Sequence, residues 1–276
     1  MLPARALRER WPEYLIEGWA LGTFMLSAAL FTMLLEHPGS PLNAALGNEH
    51  LRRALVGVAM GLTAIALIYS PWGKRSGAHM NPAVTLTFLR LGKVARVDAL
   101  FYVIAQFAGG LAGVLLAIAL AGAAFTEPPV AFIATRPGAA GAGAAFFAEA
   151  VISFGLMLMV LVFTGRPRLA PFTGLAAGVL VATYIAVEAP LSGMSMNPAR
   201  SFAAAAPARL WSDLWLYFSA PLLGMLAAAE LVTRTLGRER VRCAKLQHAQ
   251  DQRCIHCGYS PPLKSPIRRR ADERAI

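Results

Sequence analysis

The chain has 276 residues, 57% of them hydrophobic and only 15% charged, with a mean hydropathy of +0.52, too little charge to coat a soluble domain of this length. The formal net charge of +11 does not point to nucleic acid, because it lies largely in the flanks of apolar runs: the N-terminal stretch, Lys74/Arg75, the Arg90 to Arg96 segment, Arg166/Arg168 and the tail from Arg234 onward. Charge in that arrangement orients membrane spans and touches anionic lipid.

Residues 1–12, carrying Arg5, Arg8 and Arg10, are expected as a cytoplasmic tail. A first span over 13–35 is long enough, at about 1.5 Å per residue, to cross a hydrocarbon core of about 30 Å. Glu36-His37-Pro38-Gly39-Ser40 follows it in place of a small-residue cleavage site, so the run reads as a span and not as a removed leader. A polar loop over 36–50 leads to a second span at 51–69 and a basic turn with Lys74 and Arg75. The string His79-Met80-Asn81-Pro82-Ala83-Val84 then opens a stretch, 81–89, too short to cross a bilayer. A third span covers 97–121, and 125–142, with the Pro128-Pro129 pair, Pro137 and much Gly and Ala, is expected as a long loop. Spans over 144–163 and 172–189 follow, joined by a short basic link. Ser195-Met196-Asn197-Pro198-Ala199-Arg200 opens a second short stretch, 197–206, before a last span at 214–235.

The expected architecture is an all-α membrane protein with six transmembrane helices and two re-entrant half-helices in an inverted 3+3 repeat. The membrane domain is expected over 13–236, its halves about 13–121 and 144–236, followed by a basic tail over 237–276. An even number of spans puts both termini on one side, and the Lys/Arg excess assigns that side to the cytoplasm of a plasma (inner) membrane; Arg52 and Arg53 run against the rule. The halves answer each other in order: Glu17 with Glu149, Gly57 and Gly61 with Gly174 and Gly178, and Gly109, Gly110 and Gly113 with Gly224. Three spans invert the second copy, so the two half-helices enter from opposite faces and meet near the midplane. The small residues let helices approach closely.

An Asn caps a helix with its side chain while Pro tolerates the missing donor at the first turn. Asn81 and Asn197 thereby hold side-chain N–H groups at the meeting point, where two positive helix ends repel a cation and spare a neutral solute. Arg200 adds a fixed charge and donors at the pore mouth. Glu17 and Glu149 are costly in lipid and are expected to turn inward and accept from the N–H groups that precede each half-helix.

The two Asn-Pro-Ala motifs (Asn81, Pro82, Ala83 and Asn197, Pro198, Ala199), His79 before the first, Arg200 after the second, and paired Glu17 and Glu149 resemble the aquaporin, or major intrinsic protein, family over about residues 13–236. The resemblance implies a homotetramer in the lipid bilayer with one pore per subunit, no catalytic residues and no cofactor required for transport. It places the outer constriction at Met60, Ile185, Met194 and Arg200, where strict water channels of the family usually show an aromatic and a histidine at the first two positions. Ser201, Ala205 and the Tyr217-Phe218 pair resemble the water-selective branch. Water is the first expected solute; glycerol or hydrogen peroxide is the alternative. More distantly, a secondary transporter or a structural membrane protein shares such spans, although a transporter usually needs acidic groups at the midplane, where this chain has amides.

All three cysteines lie in the basic tail. Cys243, His248, Cys254 and Cys257 offer a Cys₃His donor set for a structural zinc, with a first spacing wider than usual, against an ordinary tail with idle thiols. Arg268 to Arg270 are expected as a solvated or lipid-associated face.

Overall fold

The computed structural model describes residues 2–262, so Arg268 to Arg270 lie outside the described residues. Those described residues hold helices and no strand, and six of the helices are long and apolar enough to cross a membrane. The first, α1 (Pro3–Glu36), takes in most of the segment expected as a separate tail. Pro3 sits at its first turn, where the lost donor costs nothing, and Pro12 lies inside it. Its amino-terminal turns are tied down: the Arg10 guanidinium meets Asp98, Tyr14 donates to Asp98 Oδ1 at 2.7 Å, and Arg75 Nε reaches Glu13 Oε1 at 3.1 Å.

The loop expected over 36–50 contains a short helix, α2 (Pro41–Ala45), and Asn48 caps α3 (Glu49–Tyr69) by accepting from Leu51 N at 3.1 Å. The re-entrant arms are each a broken pair. A short helix α4 (Pro71–Ser76) precedes α5 (Pro82–Arg90). After α6 (Arg96–Ala121), the stretch expected as plain loop includes α7 (Ala123–Thr126) and a 3₁₀ turn, Ala131–Ile133. Phe125, Val130 and Ile133 are buried there, which fixes this connection against the body instead of leaving it in solvent. Next come α8 (Gly141–Thr164) and α9 (Thr173–Val187). The span expected to reach 189 stops at Glu188 and restarts as α10 (Ala189–Ser192), ahead of α11 (Pro198–Ala208) and α12 (Leu214–Leu236).

Long helices pair where glycines let backbones touch. A Cβ at Gly22 would stand 2.8 Å from the Gly109 carbonyl oxygen, which locks α1 on α6. Gly224 meets the Ala150 carbonyl in the same way and locks α12 on α8, the matching pair of the second half. Across the halves, a Cβ at Gly61 would come within 2.5 Å of Gly178 O, so α3 and α9 close the ring. Large apolar side chains such as Leu62, Leu120 and Phe147 point outward, as a lipid-facing wall requires. What remains inside is the space into which the two arms fold.

Candidate functional site

Each arm turns back through left-handed backbone. Gly77 (φ +112°), Ala78 (+55°) and Met80 (+50°) in the first match Gly193 (+80°), Met194 (+50°) and Met196 (+54°) in the second. Non-glycine residues held there cost of order 1–3 kcal/mol each and persist only where the surroundings over-determine them. The buried carboxylates supply that constraint. His79 N donates to Glu17 Oε1 at 3.0 Å and Met80 N to Oε2 at 2.6 Å. Ser195 N and Met196 N do the same to Glu149 Oε1 and Oε2 at 2.6 and 2.7 Å. Both acids thereby accept from two successive N–H groups ahead of their half-helix.

Several partners of that scaffold were not given this role from the sequence. Ser76 and Ser192 donate to Glu17 and Glu149 at 2.7 and 2.8 Å, and Tyr102 and Tyr217 donate to the Ser76 and Ser192 carbonyls at 2.7 and 2.6 Å. Gln106 adds a 2.9 Å bond to Glu17 alone. Repeat spacing carries the missing signal: both serines stand five residues before their Asn, and both tyrosines stand seven before Gly109 and Gly224.

The arms end in two crossed amides. Asn81 Oδ1 accepts from Ala83 N at 2.8 Å and caps α5; Asn197 Oδ1 accepts from Ala199 N and Arg200 N at 3.0 and 3.2 Å and caps α11. Asn81 Nδ2 donates to Met196 O, and Asn197 Nδ2 donates to Met80 O, each at 2.7 Å. A primary amide carries two N–H bonds, so each Asn keeps one donor after locking the opposite arm. Pro82, Ala83, Pro198 and Ala199 are buried in the first turns behind these caps.

A cavity of about 730 Å³ runs past both amides. Met60, Ile185, Met194 and Arg200, the four residues expected at the outer constriction, all contribute to its wall, as does His79. Met60 and Met194 are buried, so the thioethers are packed into that wall. Arg200 is held by its own N–H on Asn197 and has Nη1 buried without a hydrogen-bond partner among the described residues. Glu36, Glu49, Arg52 and Arg53 line the end of the cavity away from the termini.

The arms differ in what braces them from behind. His79 Nδ1 lies 3.0 Å from Thr85 Oγ1, and its Nε2 donates to the Ala244 carbonyl of the tail at 2.7 Å. Ser195 Oγ meets Ser201 Oγ at 2.6 Å, and Ser201 meets Thr135 Oγ1, from the connection after α7, at 2.8 Å.

The tail brings Cys243, His248, Cys254 and Cys257 together, with one donor atom from each lying within 4.8 Å of the others. Cys243 and Cys254 sulfurs are 3.5 Å apart, and His248 Nε2 is 3.3 Å from Cys257 Sγ. Two thiolates on a tetrahedral ion at about 2.3 Å would be about 3.8 Å apart. The four donors therefore fit such an ion with little movement. A tight knuckle closes the Cys254–Cys257 pair: Gly258, at φ +74°, donates to Cys254 O at 3.1 Å, and Cys254 N donates to Tyr259 O at 2.8 Å. The proton shared with Cys243, and then the N–H groups of Cys257 and His256, pull the Cys254 thiol below its ordinary range, toward the thiolate a metal needs. His256 stays out of the donor set and faces Ser76 O at 3.1 Å; burial pushes its imidazole down to about 3.

Six spans, an inverted repeat and two re-entrant arms meeting over paired amides are the build of a transmembrane channel. The chain belongs to the major intrinsic protein family, the aquaporins and their kin, whose profile matches residues 15–232. It is 32% identical over 228 residues to "Aquaporin NIP2-3" of Zea mays, covering 82% of this chain and 73% of the relative. It is 35% identical over 192 residues to "Glycerol uptake facilitator protein-like 6" of Lactiplantibacillus plantarum, covering 67% and 85%. The fold is similar to that of the aquaglyceroporin from Plasmodium falciparum, with a TM-score of 0.67 at 17% identity, covering 83% of this chain and 98% of that one.

Proposed function

We propose that the chain is a passive channel for water that excludes ions and protons, and not an enzyme. The observation that carries this reading is the crossed pair Asn81 and Asn197, each with one N–H left over, at the ends of two half-helices that face one cavity. A neutral oxygen passing there exchanges one water contact for an amide donor. A cation loses its hydration and meets two positive helix ends and the Arg200 guanidinium. A second reading, passage of glycerol-sized neutral solutes or hydrogen peroxide, is favoured by the aliphatic and thioether filter at Met60, Ile185 and Met194, and a glycerol facilitator stands among the relatives.

The basic flanks put the termini and the tail in the cytoplasm and the Arg200 mouth outside, in a plasma (inner) membrane. The protein assembles as a homotetramer, as the family resemblance implies, through outer faces that expose large apolar side chains. The Cys₃His cluster holds one structural zinc per chain, which folds the tail.

Liposomes containing the purified chain, challenged in parallel with gradients of water, glycerol and hydrogen peroxide, test the assignment. Water flux well above protein-free liposomes with slow glycerol flux is expected. Brisk glycerol flux promotes the second reading, and no flux of any of the three from folded protein overturns the channel reading.

A further inference from the structure

The segment after α12 is fastened across the terminal side of the pore. Arg238 Nε donates to Leu91 O at 3.2 Å, and Val241 and Ala244 are buried. Lys245 is only 2% exposed, with its ammonium on the Lys74 carbonyl at 2.9 Å. Leu246 N donates to Gly77 O at 3.1 Å, and the Leu246 side chain forms part of the wall of the same cavity that holds the two amides. The Ala244 carbonyl accepts a hydrogen bond from His79 Nε2 at 2.7 Å. Residues 244–247 are thus a finger inserted against the first re-entrant arm, and they are bracketed in sequence by two of the four clustered donors, Cys243 and His248.

So short a segment has no core of its own to hold it in place, and it buries a lysine on one neutral acceptor. A metal that closes the 243–257 loop would supply the missing constraint, because ordering by a bound ion is folding free energy for a segment of this size. The same ion would then set the position of Leu246 in the pore.

We propose that the tail is a metal-clamped plug: Zn²⁺ on Cys243, His248, Cys254 and Cys257 holds the 244–247 finger with Leu246 in the terminal-side mouth, and loss of the ion withdraws it and raises solute flux. This rests on the channel reading and on the metal reading above. Zinc content therefore has to be measured separately from flux.

The test uses the full chain in liposomes, compared as purified and after treatment with a membrane-permeant zinc chelator under reducing conditions, alongside Leu246→Gly and a Cys254→Ser/Cys257→Ser double variant. Metal analysis is expected to give about one zinc per chain in the parent and none in the double variant. Water flux per folded channel should rise severalfold on chelation, in the double variant and in Leu246→Gly. Trypsin should cut at Lys245 only after metal removal. Bound zinc with flux unchanged or lowered, by chelation or by Leu246→Gly, overturns the plug and leaves the metal reading intact. Zinc far below one per chain overturns the metal reading and the metal-dependent plug together, and the channel reading still stands if water moves.

Discussion

The two re-entrant arms share one internal design and differ in what stands behind it. In both, a buried glutamate takes two successive N–H groups and a serine hydroxyl, a tyrosine secures the serine carbonyl, and an Asn caps the half-helix while gripping the other arm. Behind the first arm lies the tail, through His79 and Ala244; behind the second lies the connection between α6 and α8, through Ser201 and Thr135. The residue after Asn-Pro-Ala differs too, Val84 against Arg200. What the duplication repeats is the part that holds two polar amides in register. What it varies is the charge at one mouth and the strap at each.

The shared scaffold is the place to break the likeness most severely. Glu17→Ala or Glu149→Ala leaves buried N–H groups without an acceptor, each costing about 1–3 kcal/mol. Folded yield in detergent is expected to collapse for both, with Glu17→Ala at least as damaging because Gln106 also loses one of its two acceptors and keeps only Thr85. Good yield with abolished conduction in either variant would move that glutamate from scaffold to pore.

Arg200→Val makes the mouths alike. The guanidinium is the one full charge among the four residues expected at the constriction, and a cation crossing beside it faces repulsion at low dielectric. Water flux should persist while proton leak, read with a trapped pH dye, rises to a level limited by the helix ends at the amides. An unchanged leak would assign exclusion to the midplane alone.

The strap of the second arm is the mildest target. Thr135→Val removes one hydroxyl pair and should lower the thermal midpoint by an amount equivalent to about 0.5–1.5 kcal/mol, with water flux unaltered. A loss of flux from Thr135→Val without loss of stability would show that the connection after α7 governs the opening.

Spans, half-helices, capping amides and the two glutamates were legible in the sequence because each obeys a local rule: hydropathy over a bilayer's length, Asn-Pro at a helix start, a carboxylate too costly to leave in lipid. The tail cluster was legible from cysteine and histidine spacing. Local rules do not carry the partners that arrive from elsewhere. Nothing near Thr135 announces Ser201, and nothing near Leu246 announces Gly77, because those pairs exist only once the helices have packed. The helical continuity of α1 through Pro12 was masked by its charge, since Arg5, Arg8 and Arg10 resemble a tail until Asp98 is seen to hold the last of them. Short helix α4 hid in the basic turn around Lys74 and Arg75, and α10 at the end of the span expected to reach 189.

If solute crosses the membrane through the cavity shared by the two arms, a pair of tryptophans should separate the wall of that cavity from the outer face. Met194→Trp places a large ring in the cavity wall, whereas Leu62→Trp adds the same ring at a position 60% exposed on the outer face. Stopped-flow light scattering on liposomes containing equal amounts of folded protein should show fast osmotic shrinkage for the parent and Leu62→Trp, and the rate of protein-free liposomes for Met194→Trp. Equal shrinkage in all three, or a parent no faster than bare lipid, would mean that solute does not cross through that cavity.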